Sequence, residues 1–427
     1  MQLCPFDIRC NERTRGENTR LGPAIVSDSA TTKEILMTDR LRFGVFHAPY
    51  HLPMGQNPHL ALHRDVKFVQ HLDELGFDEA WIGEHHSCGA EIIPDPITFI
   101  ANVAPQTKSI KLGTGVLSLP YHNPLWVADR FILLDHLTRG RAMLGLGPGA
   151  LTTDAYMIGI DPLEQRDALE EDVDILKRLF AGETVSHKTS RYELIEARTQ
   201  IRPYSDFEVA VAAVASPTGP RISGKYGDGV LSIGATMSAM APDGVNTLAL
   251  HWDVMEQRAA QFGQTADRSK WRLVGPMHIA ETRELAREQV HHGIDAWFDY
   301  FQDVQAAVHF NVAGRTTEER IDFVINSGLG VIGTPDDAIE QISKLKEQSN
   351  GGFGAYLVMT HEWANWANTL HSYELMAERV FPAFQGSIES LQASADWAAT
   401  TRGELGGAQI KSVENAMAKH AAETAAS

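Results

Sequence analysis

The chain predicts a (β/α)8 barrel of the TIM type, with insertions after its fourth and seventh strands and a C-terminal helical extension. Three observations carry that prediction. Between residues 41 and 384, short apolar runs alternate with amphipathic stretches, the pattern of a parallel sheet with helical crossovers. The alternation repeats through eight strand-and-helix units. Each strand runs into polar or glycine-rich punctuation, as it should where the loops at one end of a barrel carry the chemistry.

Of the 427 residues, 43% are hydrophobic and 22% charged, an ordinary globular composition with ample material for a core. A formal net charge of −18 argues against nucleic acid or an anionic membrane surface as partner and favours small or neutral ligands. Three cysteines, Cys4, Cys10 and Cys88, are too few and too badly spaced for a disulfide framework or a thiolate metal site. No metal is expected, and a reducing cytoplasm is the default location. No apolar run approaches the roughly 20 residues needed to span a bilayer. Residues 1–38 are polar and without periodicity, and read either as a disordered leader or as sequence ahead of a natural start at Met37. The barrel is expected over 39–385 and the extension over 386–427.

The first strand is 41–46. Leu62, Val66, Val69, Leu72 and Leu75 then recur at steps of three and four, a helix that stops at Gly76. The second strand, 79–84, ends in Glu84-His85-His86. Neighbouring residues of a strand face opposite sides, so the two histidines should have different partners. Taken alone, a histidine at a strand end is more often structural than catalytic. After a helix opened by Pro94-Asp95-Pro96 comes the third strand, 111–117, where two glycines suggest that something flat approaches the backbone. Asn123-Pro124 caps the next helix, and the fourth strand, 141–146, ends in Gly147-Pro148-Gly149. Gly-Leu-Gly-Pro-Gly is not a dinucleotide fingerprint, because no helix opens directly behind it. A helix striped with Leu169, Val173, Leu176 and Phe180 precedes a polar excursion, 182–205, with room for a hairpin.

The fifth strand, 207–214, runs into Ala215-Ser216-Pro217-Thr218-Gly219-Pro220, a helix N-terminus that is either a simple cap or a phosphate cradle. The sixth and seventh strands are 229–234 and 273–280. Residues 294–330 follow, an insertion crowded with Trp297, Phe298, Tyr300, Phe301 and Phe310, which reads as a lid or as a packing helix pair. Thr334-Pro335-Asp336-Asp337 caps the next helix. The eighth strand, 354–359, ends in Thr360-His361-Glu362-Trp363, which is not the zinc motif His-Glu-x-x-His. Beyond Gly386, Ile388, Leu391 and Trp397 suggest a docked helix, with a peripheral helix or frayed tail after 408.

Several pieces then fall together in order. Phe43-Gly44, Gly76-Phe77-Asp78-Glu79-Ala80-Trp81 leading to Glu84-His85-His86, Leu112-Gly113-Thr114-Gly115-Val116, Leu119-Pro120, Leu134-Asp135, Gly140-Arg141 and Gly333-Thr334-Pro335 resemble the bacterial luciferase-like flavin monooxygenases over 41–385. His361-Glu362-Trp363-Ala364, followed by the helix at 370–374, is similar to the limonene monooxygenase-like branch.

The resemblance implies reduced FMN, with FAD as the alternative, across the barrel mouth, and O2 as co-substrate adding at the flavin C4a carbon to give a hydroperoxide. His85 matches the family's catalytic histidine, and an imidazole near neutral pKa could donate to the peroxide and later relay a proton. Thr114, Gly115 and Val116 match the stretch beneath the flavin, with a non-prolyl cis bond at Gly115-Val116. Ser216, Pro217, Thr218 and Gly219 match the phosphate turn. Gly147 stands near the flavin where the luciferase alpha subunit has a cysteine, so a role for that thiol does not carry over, and Ala215 replaces an acidic residue of luciferase. His47, His361 and Trp363 are candidates for the substrate pocket.

The function so implied is a two-component monooxygenase. A separate NAD(P)H-dependent flavin reductase supplies reduced flavin, in keeping with the lack of a nicotinamide fingerprint. One oxygen atom then enters a small, mostly apolar substrate by terpene-like epoxidation or hydroxylation. A homo-oligomer is expected. The alternatives are a deazaflavin-dependent hydride-transfer enzyme of the same superfamily and a non-catalytic luciferase-like subunit; retention of His85 argues against the last.

Overall fold

The computed structural model describes residues 40–48, 50–52, 56–214, 216–234, 246–305 and 313–425. The leader expected over 1–38, together with Ala215 and Phe310, lies outside the described residues.

Eight parallel strands, β1 (Arg42–His47), β2 (Glu79–Ile82), β3 (Lys111–Thr114), β4 (Ala142–Gly147), β5 (Val209–Ala213), β6 (Gly229–Ile233), β7 (Trp271–Ile279) and β8 (Ala355–Met359), form the barrel. Each pairs with the next, and β8 pairs with β1 to close the ring. All are the strands expected from the sequence. Alternation sorts their side chains: Phe43 and Val45 face outward onto Val66, Phe68 and Val69 of helix α1 (Pro58–Leu75), while Phe46 faces inward with Trp81, Met143 and Leu357.

The floor of the barrel is charged yet closed. Glu79 and Arg272 are both fully buried, 2.7 Å apart, and Arg42 and Glu208 complete the group. Burial alone would raise the Glu79 pKa, but Arg272 and Arg42 outweigh it and hold it near about 2. Trp81 donates its indole N–H to Glu79 and lies under Arg272. This indole is also the flat group that the first of the third-strand glycines accommodates, since a Cβ on Gly113 would come within 2.6 Å of it, whereas one on Gly115 would meet the Trp81 Cβ and backbone. The flat partner of Gly113 is therefore the protein's own tryptophan.

After β4 come helices α2 (Thr152–Ile158) and α3 (Gln165–Phe180) and an antiparallel hairpin of Val185–Lys188 with Glu193–Ala197. After β7 the insertion includes Ile294–Asp299, a π-helical turn at Tyr300–Val304, and Thr317–Ser327. Trp297, Phe298 and Tyr300 are at most 2% exposed, in a second core that they share with Tyr50, Ala90 and Trp363. The insertion thus rests on the loops that follow β1, β2 and β8. Its aromatic face is spent on protein contacts, as in a packing helix pair.

Beyond Gly386 there is one continuous helix, Glu389–Ala425. Ile388, Leu391 and Trp397 are 55%, 68% and 61% exposed, so the docked helix expected there is corrected to an exposed one. Three apolar residues over ten positions do not form a stripe, because Ile388 precedes the helix and Leu391 and Trp397 lie about 120° apart around it.

Candidate active site

Catalytic groups in such barrels project from the C-terminal strand ends. The last inward-facing residues there include Phe46, Val116, Ala212, Ile233 and Met359, all apolar and partly exposed. Gly147 lies among them: a Cβ at this position would meet Val116 Cγ2 at 2.5 Å and Ala212 Cβ at 3.8 Å. Val116 therefore occupies the space that a cysteine at 147 would need. The Gly115–Val116 peptide is cis. Thr114 is buried and donates from its hydroxyl to Gly145 O at 2.7 Å, tying β3 to β4 beneath this face.

At the end of β2 the chain sorts three polar side chains. Glu84 is buried and accepts from Ser118 N at 2.8 Å, His122 Nε2 at 2.8 Å and His86 Nε2 at 2.9 Å. Burial would raise its pKa, yet the bonds from His122 and His86 outweigh that and hold it at about 2. Glu84 thereby gathers the loops after β2 and β3 around His85. His85 points elsewhere than His86, as the alternation predicts. Its Nε2 is 2.8 Å from Glu91 Oε2, and its Nδ1 is 3.5 Å from Asp154 Oδ2 without a hydrogen bond. Burial disfavours the charged ring, but Glu91 and Asp154 outweigh it and push its pKa up to about 10. The two carboxylates thus favour the imidazolium form, where the sequence suggested an imidazole near neutral pKa.

The remaining sequence candidates are placed as follows. His47 shares the outward parity of Phe43 and Val45, and its ring packs 5.9 Å from Phe68 and 6.3 Å from Phe99. It faces the helices, not the mouth. His361 is buried, stacked on Trp363 at 4.0 Å, and bonded through Nε2 to Met277 O at 3.1 Å. Burial and the neighbouring His278 hold its pKa down to about 3, so it is neutral. Trp363 is also buried and stands against Trp297. Trp363 thus supports the insertion, with His361 stacked beside it. Their neighbour Glu362 binds Leu52 N at 2.7 Å, Gln56 and Arg64, and lies 3.4 Å from His51, so that it anchors the loop after β1.

Helix α4 (Thr218–Tyr226) starts with Pro217 as its N-cap and no side-chain cap bond. Ser216 does not cap it, which corrects that part of the sequence reading. The uncapped backbone N–H groups suit an anion. A Cβ on Gly219 would lie 2.3 Å from Ala212 O, so this glycine lets the helix start close against β5. Uncapped N–H groups at this helix start, an apolar ring at the mouth and one buried His85 nitrogen without a hydrogen bond together fit a flavin.

A family model described as luciferase-like monooxygenase matches residues 41–350. The chain belongs to the luciferase-like monooxygenase family. This family member is 48% identical over 355 residues to limonene 1,2-monooxygenase of Rhodococcus erythropolis, covering 82% of this chain and 89% of that protein. It is 38% identical over 366 residues to 4-hydroxyprotoasukamycin monooxygenase of Streptomyces nodosus subsp. asukaensis, covering 84% and 97%. The fold matches the oxygenating constituent of 3,6-diketocamphane monooxygenase of Pseudomonas putida, a type II Baeyer-Villiger monooxygenase in complex with FMN. There the TM-score is 0.67 at 24% identity, over 80% of this chain and 98% of the other. The luciferase-like chain is an oxidoreductase within the limonene monooxygenase-like branch. No described helix is long and apolar enough to cross a membrane. Among the described residues there is no cluster of three or more His, Cys, Asp and Glu that could hold a metal ion.

Glu91 and Asp154 were missed from sequence. Neither lies in a motif, and Asp154 reaches His85 from the helix after β4. Glu84 was inside the quoted motif but carried no assigned role.

Proposed function

We propose that this chain is the oxygenating component of a two-component flavin monooxygenase. It takes reduced FMN from a separate NAD(P)H-dependent reductase and uses O2 to place one oxygen atom in a small, apolar, terpene-like substrate. The observation that carries the reading is the pairing of an apolar barrel mouth with His85 after β2, whose Nδ1 makes no hydrogen bond and stands 3.5 Å from Asp154 Oδ2. The 48% identity to a limonene 1,2-monooxygenase supports the terpene class.

Reduced flavin, when bound, supplies two electrons, so that one atom of O2 enters the substrate and the other leaves as water. The N–H groups at the start of α4, with Ser216, Pro217, Thr218 and Gly219, would hold its phosphate. Thr114, Gly115, Val116 and Gly147 would offer the ring a flat wall. His85 holds a proton at Nδ1 that can be given to the departing oxygen, and positive charge there favours negative charge on that oxygen. The apolar ring keeps bulk water from the reacting atoms.

The test supplies photoreduced FMN and air to the purified protein with a panel of terpenes, and follows product mass for the gain of one oxygen. Product should require both reduced flavin and O2. His85→Ala should lower its formation about 100-fold or more while leaving FMN binding intact. Oxygen-independent turnover, or an unchanged rate in His85→Ala, would refute the reading.

A further inference from the structure

The groups around His85 are unequal. Glu91 is 5% exposed and stands 2.8 Å from Nε2. Its Oε2 also faces the Tyr300 hydroxyl at 3.3 Å, and that hydroxyl accepts from Gln305 at 2.9 Å. Asp154 stands farther off, its Oδ2 3.5 Å from Nδ1 without a hydrogen bond, while its Oδ1 is taken by His86 N at 3.2 Å and by the Ser87 hydroxyl. Beyond these, the titratable groups near the ring are Tyr50, opposite Glu91 in a β-bridge, and His86 and Cys88 on the same loop. A ring flanked by two carboxylates keeps a proton on each nitrogen. The short contact to Glu91 commits Nε2–H, so Nδ1–H is the proton left to give.

We infer that Glu91 is the positioning residue that commits Nε2 of His85 and so makes Nδ1 the proton donor, and that Tyr300 of the insertion fixes where Glu91 stands. The inference rests on His85 being the catalytic histidine. It gives the insertion a part in the chemistry: Tyr300 joins the second core to the reacting end of the barrel by way of one carboxylate. In the reaction the proton passes from Nδ1 to the oxygen leaving as water, and the ring regains one from solvent in the next cycle. Asp154 Oδ2, 3.5 Å from Nδ1 and without a hydrogen bond to it, steadies the charge without committing a proton.

The arrangement is tested on the full-length protein without flavin, by titrating its ¹⁵N-labelled histidines by NMR, with His85→Asn to assign the ring. In the wild type both His85 nitrogens should carry protons at pH 8, with a midpoint near about 10. Glu91→Gln should lower that midpoint by about two units, Asp154→Asn by less than about one, and Tyr300→Phe should broaden or shift the Nε2 signal. Glu91→Asp, which restores the charge, should recover a high midpoint and shows that the Gln variant was not merely misfolded. With reduced FMN and substrate supplied, product formation by Glu91→Gln should fall off above its new midpoint while the wild type holds to pH 9. A His85 midpoint that Glu91→Gln leaves in place overturns the role of Glu91. A midpoint that falls while product formation keeps its wild-type pH profile overturns Nδ1 as the donor. Loss of all oxygenation dependence on His85, with the titrations as expected, instead strikes the underlying assignment of the catalytic histidine.

Discussion

Replacing Gly147 with the cysteine that the luciferase alpha subunit carries there should destabilise the barrel through one identifiable contact. The new Cβ would stand 2.5 Å from Val116 Cγ2. Carbon atoms prefer about 3.5–4.0 Å, so the pair is short by roughly 1 Å or more before any sulfur is added. The strands cannot separate, because β3 and β4 are hydrogen-bonded neighbours. Val116 must give instead. Forcing it off its staggered well costs about 0.5–1.5 kcal/mol, and overpacking a fitted site about 1–3 kcal/mol in all. Val116 is partly exposed, which leaves it somewhere to turn, so about 2 kcal/mol is expected. The assay is a double-mutant cycle in urea with Gly147→Cys, Val116→Ala and both together. Removal of Cγ2 should return most of the cost, a coupling of about 1–2 kcal/mol. If the two costs add within about 0.5 kcal/mol, Val116 is not what excludes a side chain at 147.

Two more outcomes follow from the charges and from the C-terminal helix. His51, against Asp65 and Glu362, has its pKa pushed up to about 9, and His85 to about 10; both lie above the ordinary histidine value, so the stability they contribute is full below about pH 6.5 and is lost as pH rises through 9 to 10. Glu79 and Glu84, held at about 2, act in the opposite sense, their contribution present above about pH 4.5 and lost as pH falls toward 2. Thermal melts from pH 3 to 11 should therefore plateau near pH 5–6.5, and His51→Gln should flatten the alkaline side; a wild type equally stable at pH 6 and pH 10 would contradict this. Truncation after Gly386 should leave the melting temperature of the barrel within about 1–2 °C, since the removed helix is exposed almost throughout; a larger fall would mean that it is bound to something in solution.

The barrel was legible because its signals are local. Strand length, alternation, caps such as Asn123 and the Thr334–Asp337 capping box, and glycines at helix ends all act within a few residues, and all were found as expected. The partners of His85 depend on contacts across elements, which no local pattern announces. His47 was readable in principle: it has the parity of Phe43 and Val45, which mark the helix-facing side. The aromatic crowd at 297–301 correctly signalled burial, but a sequence cannot say whether a ligand or Trp363 does the burying. Ile388, Leu391 and Trp397 misled because apolar content was read without the angle between them.

The charged floor has a consequence for traffic. With Glu79, Arg272 and Trp81 wholly buried and joined to one another, the described residues close the N-terminal end of the barrel. Whatever enters the interior by the mouth then leaves by the mouth. A molecule that arrives first lies deepest and departs last. Cofactor, oxygen and substrate would then queue in a fixed sequence, and a spent cofactor could be exchanged only after product had cleared the entrance.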